Sequence, residues 1–592
     1  MKLDKAAPSD PIKEEIAGFI LGSLQEMGIT EQLEATNIVA LLEQPKDTSH
    51  GDIALPCFII AKLAKKSPMD LSALLSAKCN SGQLHWVKQS TATGPFLNFA
   101  LKPEALAQYL IPQILEKKLF GSLVQIPKRE KRVMIEYSQP NTHKDFHVGH
   151  MRNVALGDSL VRLYRYCGYD VTAANYIGDE GAHVAKCLWY LTKFNKKAPA
   201  QGRGSWLGDM YMESSNLLED ASPSDLPSYQ EEIAGVLKEI EKKSGRFYDL
   251  WLETKSWSMD IFYEIYDWLG SKFDHYFFES EVSEESQEIV DEYLSKGVFI
   301  ESDGAIGMDL KAYKAGFAIF RKRDGNTLYA TKDLALARRK FRDFKIDKSI
   351  YVVASEQNLH FKQVFKALEL MGFPQATNCY HLSYALVMLE EGKMSSRKGN
   401  VVTFYKLKQS LEDELQKQLE KYKDSWSAEE IADVRRKLCV GAIKFGMIFS
   451  DPNKEIIFKI QDWLSFDGCT GPYLMYSYAR SQSILSKGKE NDWTPALKNL
   501  EALKEQEEAD LLKQMYTFND VVWQACQNNK PSVLAHYLFD LCKSFNRLHK
   551  NVPILKAETD DLRSARLALI QAFGSLLFQG ISLLGFEPPK RM

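Results

Sequence analysis

No Cys-x-x-Cys pair occurs among the nine cysteines, no apolar run nears the roughly 18 residues that a membrane span needs, and no internal repeat or low-complexity tract is present. Singly scattered thiols exclude a disulfide framework and a thiolate zinc module, and read as buried side chains. The opening Met1-Lys2-Leu3-Asp4-Lys5 runs into neither an apolar secretory core nor an Arg-rich amphipathic leader. A cytoplasmic protein without membrane attachment is expected. Charge of one sign is missing too: 75 Lys and Arg against 78 Asp and Glu leave a net charge of −3. The total therefore demands no polyanionic partner, although basic runs at 128–132, 321–323 and 338–340 permit one locally. What the chain does have is length, because 592 residues with 45% apolar and 26% charged side chains describe a globular protein of about three or four domains.

Pattern divides the chain into blocks. From Lys13 to about Lys118 helical periodicity alternates with short strands, and Ala92 to Phe99 reads as a turn entering a strand. A polar stretch, Gly121 to Lys131, marks a boundary. Beyond it, a strand at 132–137, a helix at 149–166, a strand at 169–176 and a helix at 182–193 form a right-handed parallel unit. The later half follows as a strand at 349–354, a helix at 359–371 and the apolar run 384–389. Between the halves, about 202–298 is polar, helical and Trp-bearing, and reads as an insertion; from Tyr405 helix follows helix to the end. The expected fold class is α/β: a doubly wound parallel sheet, an α+β block before it and an all-α bundle after it.

Two segments at strand ends carry the chemistry. His147-Val148-Gly149-His150 opens a helix after the first strand, setting two imidazoles on one turn around a glycine that lets a flat ring approach the backbone. Lys393-Met394-Ser395-Ser396-Arg397-Lys398-Gly399-Asn400 supplies lysines and hydroxyls on a loop. A helix N-terminus with such a loop suits adenine and a triphosphate, and the implied chemistry is attack on an α-phosphate. Gly178, Asp179 and Gly181, at the second strand end, allow close approach by ribose or adenine, or make an ordinary Asx turn.

The two segments resemble the signature pair of class I aminoacyl-tRNA synthetases. Four further stretches narrow the resemblance to the arginyl-tRNA synthetase family: 138–146 (SQPNTHKDF), 175–179 (NYIGD), 328–335 (LYATKDLA) and 471–476 (GPYLMY). Gly51-Asp52 with 94–99 (GPFLNF), and the terminal 583–592, are similar to the two ends of that family. The resemblance implies residues 1–120 as an added tRNA-contacting domain, 121–404 as a Rossmann-like catalytic domain with the helical insertion at about 202–298, and 405–592 as a helical anticodon-binding domain. It implies His147, Gly149, His150, Gly178, Asp179, Lys393, Met394, Ser395 and Lys398 for ATP, with Mg2+ accompanying the nucleotide. One feature departs from the class pattern: Ser396 stands where most class I synthetases carry lysine, and in the family Lys144 occupies the place of a lysine thought to substitute. His147, His150, Lys144 and Lys393 are thus the expected catalytic set.

Arginine as substrate has its own residue logic. A guanidinium is a planar fork of donors, held best by carboxylates that accept in pairs. Asp333 and Glu279 are the candidates, with Tyr329 four residues before Asp333 on one helical face. The resemblance adds Asn141, Gln357 and Glu136 for the α-amino end. The blander alternatives are a pair between Asp333 and Arg338 or Arg339, a surface role for Glu279 and a turn cap for Asn141. For the anticodon, Tyr473, Tyr476, Phe545 and Met592 match the family's pocket, and His549 replaces its second aromatic partner. The expected activity is two-step ligation, in which the arginine carboxylate attacks the α-phosphate of ATP to give arginyl adenylate and a tRNA terminal hydroxyl then takes the arginyl group. Activation that needs bound tRNA(Arg), and a monomer, are further expectations. The alternatives are another class I synthetase, such as a cysteinyl one, and a catalytically inactive synthetase-like tRNA-binding protein; a zinc-ligand cysteine set or loss of the signature residues would favour them, and neither occurs.

Overall fold

The computed structural model describes residues 10–29, 33–45, 47–117, 131–323, 325–389, 392–393 and 402–592. Ahead of 118, strands β1 (Ile53–Pro56), β2 (Val87–Thr93) and β3 (Phe96–Leu101) make an antiparallel sheet in the order β1-β3-β2. Gly94, at φ +57°, and Pro95 form the two-residue turn that sets Thr93 opposite Phe96. Three helices of this unit, Pro11–Glu26, Pro68–Ser81 and Pro103–Leu115, begin with proline, whose fixed φ suits a first turn and whose missing N–H costs nothing there. The unit is tied to the C-terminal helices by Lys13 to Asp520 at 2.6 Å and Lys513 to Asp52 at 3.1 Å.

A central sheet follows, built from β4 (Arg132–Glu136), β5 (Asp170–Ile177) and β6 (His275–Phe278). A side sheet of β7 (Ile300–Ser302), β8 (Ala305–Asp309) and β9 (Phe317–Arg321) intervenes before β10 (Lys348–Ala354) and β11 (Cys379–Tyr384) complete the central one. All its pairings are parallel, in the order β11-β10-β4-β5-β6. The chain leaves β4 toward β5 on one side and returns as β10 on the other, so strand order reverses between β4 and β10. Ligands of such sheets bind in the crevice at that switch point. The Val148–Tyr166 helix starts there and is buried along most of its length.

Two expectations about this region need correction. The sheet strand after β10 is Cys379–Tyr384; the 387–389 run instead pairs with Gly392–Lys393 and Ile456–Ile457 in a separate small sheet. Likewise 202–298 is not one helical insertion. Its helices, Arg203–Glu219, Leu226–Glu241 and Arg246–Leu269, are followed by β6, an edge strand of the central sheet whose four residues are too few for periodicity to reveal.

From 404 onward the fold is almost all helix. The Asp560–Leu583 helix is long and apolar enough to cross a membrane by length and composition, although polar residues interrupt its apolar run. It packs inside the bundle, with Leu569, Ile570, Phe573, Leu576 and Leu577 at 0% exposure, as a core helix does. Below it lies a buried polar joint. Lys444 Nζ donates to Asp158 Oδ2 and to the Gly585 carbonyl, both at 2.7 Å, and to Ser271 Oγ at 3.1 Å, which ties the bundle to the helix that starts at Val148.

Candidate active site

The loop from β4 to that helix is held in an unusual shape. Ser138, Gln139 and His143 all have positive φ, at 78°, 46° and 61°, a region that costs a non-glycine residue about 1–3 kcal/mol. Buried polar groups hold it. Asn153 Oδ1 accepts the Ser138 N–H at 2.7 Å, Asn175 Oδ1 the Gln139 N–H at 3.0 Å, and Ser258 Oγ the His143 N–H at 3.0 Å. His143 itself bridges Thr142 and Thr254 through its two ring nitrogens, and burial pushes it down to about 3, so it is a neutral strut.

His147 caps the helix. Its Nδ1 accepts the Gly149 N–H at 3.1 Å, and its own N–H is accepted by His150 Nδ1 at 3.1 Å. A backbone N–H can only donate, so each neutral ring carries its proton on Nε2. The rings lie 3.8 Å apart, centre to centre. Burial, reinforced by Lys144, pushes His147 down to about 4; burial, then His147 and Lys144, holds His150 well below the usual imidazole range. Both are neutral donors at neutral pH. Gly149 admits this arrangement, because a Cβ there would stand 3.0 Å from the His147 ring; the flat ring that approaches the glycine is the protein's own.

These rings line a cleft of about 400 Å³ with Asn141, Lys144, Gly208, Tyr211, Tyr405 and Lys406. Lys144 Nζ sits 5.1 Å from the centre of the Tyr211 ring. Asp145, the neighbour that could have paired with Lys144, is packed against the backbone at Gly208, and burial, with Asp209 adding, pushes it up to about 6. Lys393 is described only in its backbone, opposite Met388, while Met394, Ser395, Ser396 and Lys398 lie outside the described residues.

An acidic cluster lies next to Asn141. Gly178 hydrogen-bonds along the Pro140–Thr142 backbone, and a side chain on it would collide with Asn141 Oδ1 and touch Glu279 Oε1, so the glycine lets these two groups meet. Glu279 is buried at the end of β6, 3.6 Å from Lys332 Nζ, and its Oε2 has no hydrogen-bond partner among the described residues. Burial, opposed by Lys332 and reinforced by Glu180, Asp179 and Asp333, pushes it up to about 8. Tyr329 is 55% exposed at the start of its helix, with its Oη near Gly181. Asp333 bonds to His360 Nε2 at 2.5 Å, not to Arg338 or Arg339, which pair with Glu292 and with Glu281 and Asp343. Burial lowers His360, but the bond and the charge of Asp333 outweigh it and raise it overall. Gln357 is exposed at the end of β10.

Two residues of the expected set face away. Asp179 has 0% side-chain exposure and holds Lys255 at 2.7 Å and the Ser280 N–H and hydroxyl, so it clamps neighbouring segments and offers no oxygen to a nucleotide. Glu136 is buried against Lys340 Nζ at 2.5 Å and accepts from Gln139. An unforeseen group is Tyr176, whose buried hydroxyl has no partner among the described residues and feels Glu279, Asp333, Glu136 and Glu180 together.

Compared with known proteins, residues 110–460 match the family described as tRNA synthetases class I (R), catalytic domain. Residues 12–101 match the arginyl tRNA synthetase N terminal domain and 474–592 the DALR anticodon binding domain. The arginine--tRNA ligase of Bdellovibrio bacteriovorus is 41% identical, covering 94% of this chain and 95% of its own; that of Halothermothrix orenii is 32% identical over 98% and 99%. The Thermus thermophilus arginyl-tRNA synthetase structure superposes with a TM-score of 0.78 at 26% identity, covering 98% of this chain and all of that one. The chain belongs to the arginyl-tRNA synthetases. In this synthetase the C-terminal cleft, about 920 Å³, is lined by Tyr476, His549 and Met592 and by five cations, Arg480, Lys487, Lys556, Lys590 and Arg591. Tyr476 accepts from Arg480 at 2.7 Å, while Tyr473 accepts from Asn546 at 3.0 Å and lies behind it. Phe545 is a correction. At 0% exposure, stacked 4.1 Å on Phe573, it is core and cannot stack on a base, because its position in the Pro531–Asn551 helix faces inward.

Proposed function

We propose that the chain is an arginine–tRNA ligase that activates arginine in the β4/β10 crevice and passes it to tRNA(Arg). The observation that carries the reading is the adjacency of two unlike groups of side chains: neutral imidazole donors at a helix N-terminus in the cleft with Lys144 and Asn141, and Glu279 across Gly178 from Asn141, with Glu180 and Asp333 near enough to act on its charge. A triphosphate suits the first and a guanidinium the second. With Tyr329, Asp333 and Glu279 at the guanidinium and Asn141 and Gln357 toward the α-amino end, the arginine carboxylate is left facing the histidines, in line with an α-phosphate. His147 and His150 donate Nε2–H to the charge that develops there, and Lys144 supplies a cation; no covalent intermediate on the protein is needed. Mg2+ accompanies ATP and neutralises phosphate charge. Among the described residues no three His, Cys, Asp or Glu side chains are grouped to hold a metal.

The remaining units divide the tRNA. The N-terminal unit, to about residue 120, contacts the tRNA body, and the bundle from 405 reads the anticodon with Tyr476 and Met592 amid five cations. One chain holds every group named, so a monomer suffices, and a cytoplasmic enzyme is the expected setting. The test is charging of total tRNA with each of the twenty amino acids, which should proceed with arginine alone. Arginine-dependent exchange of labelled pyrophosphate into ATP should require tRNA; brisk exchange without it refutes that part.

A further inference from the structure

The helices Tyr329–Phe344 and Asn358–Leu370 pack together, and within the acid-lined pocket they share one polar contact, His360 Nε2 to Asp333 Oδ2 at 2.5 Å. Among the described residues no other hydrogen bond or ion pair reaches Asp333. The arginines that a carboxylate at this place in the chain would be expected to find are engaged elsewhere. Lys332, the adjacent cation, is taken by Glu180 and Glu279. The plane of this carboxylate therefore depends on one imidazole, itself set on a second helix against the edge of the Phe361 ring. The titratable groups facing that imidazole are Asp333 from one side and His381 of β11 from the other, and His381 is held by the Val353 carbonyl at 2.9 Å.

A guanidinium donates in coplanar pairs, so a carboxylate that can rotate binds it less well than one fixed in plane. We propose that His360 is the positioning residue for arginine: it engages Asp333 Oδ2 and leaves Oδ1, held in a fixed plane, for the guanidinium. The proposal rests on the reading of Asp333 as guanidinium anchor. It accounts for a histidine bonded to one of the clustered acids, and it places a specificity determinant 27 residues from the anchor, on another helix.

The test uses full-length enzyme with tRNA and compares His360→Ala, His360→Gln, Asp333→Ala and the double variant His360→Ala/Asp333→Ala. His360→Ala should raise KM for arginine about tenfold or more, the loss expected for one hydrogen bond to a charged group, with KM for ATP and tRNA unchanged. His360→Gln, whose amide N–H reaches the same place, should recover most of the affinity. In the Asp333→Ala background the His360 change should add nothing. If Asp333→Ala raises KM for arginine and His360→Ala does not, the proposal is overturned and the site reading stands. If Asp333→Ala leaves KM for arginine unchanged, the reading fails and takes the proposal with it. A His360→Ala enzyme that loses affinity for all three substrates, or melts earlier, would show a structural role only and also overturn the proposal.

Discussion

With Glu279 read as a guanidinium ligand, arginine binding should be coupled to the loss of a proton. Its folded-state value of about 8, against an ordinary 4.5, means that the fold favours the neutral carboxyl and that ionising it in place costs roughly 5 kcal/mol. The sign follows: without arginine, stability is greatest where the group is neutral and declines as pH rises from about 5 through 8. A guanidinium reverses this, since it needs the ionised form. At pH 7 about one tenth of the sites are ionised, so apparent arginine affinity should improve roughly tenfold between pH 7 and 9, and binding at pH 7 should release close to one proton. Calorimetric titration of arginine in two buffers of different ionisation heat counts that proton directly, and melting curves with and without arginine should diverge as pH rises. Glu279→Gln should abolish the release and flatten the profile at weak affinity. Equal heats in the two buffers, with an affinity independent of pH, would refute the reasoning.

Three further outcomes are expected. Lys144→Ala should lower kcat about a hundredfold with KM for arginine unchanged, and Ser396→Lys in that background should restore part of the rate, because both positions serve one developing charge; near-normal kcat in Lys144→Ala would leave Lys144 a surface cation. Gly149→Ala places a methyl 3.0 Å from the His147 ring and should depress kcat in adenylate formation while the melting temperature holds. Lys444→Met strands the buried Asp158 carboxylate with Arg162 as its remaining cation, at 3.1 Å, and should cost about 3–5 kcal/mol in urea unfolding.

Long, strongly patterned elements were legible in the sequence: β4, the Val148–Tyr166 helix, β5 and β10 fall where alternation and 3.6-residue periodicity put them. So was the pairing of two histidines around Gly149 at a helix start. What the residues did not disclose was long-range. β6 is four residues inside a helical stretch, so Glu279 could be named as a candidate carboxylate but not placed at the end of a sheet-edge strand. His360 joins the site through a side-chain contact between two helices, and Tyr176 through burial near carboxylates from several elements, neither of which local spacing encodes. That the side chains of Asp179 and Phe545 are engaged in the fold is hidden for the same reason, since a carboxylate before a helix and an aromatic at a helical position look alike whether they face a cleft or a neighbouring segment.

Arg152, one turn into the helix that His147 caps, is buried with 0% exposure, and the hydrogen bonds of its guanidinium all go to backbone, with the Tyr384 ring 5.8 Å away. It donates to the carbonyls of Ala385 at 2.5 Å, Leu386 at 3.3 Å, Pro452 at 3.3 Å and Lys454 at 2.9 Å, with Asp451 at 3.4 Å. Such a clamp senses chain length and is indifferent to side-chain identity. Every residue type carries a carbonyl, so substitutions along 385–386 and 451–454 keep the acceptors in place, whereas one residue inserted or deleted would move several of them out of reach. For this clamp it is the spacing of the two stretches from the histidine pair that matters, whatever other contacts their side chains make, such as that of Asp451 with Lys530 at 2.7 Å.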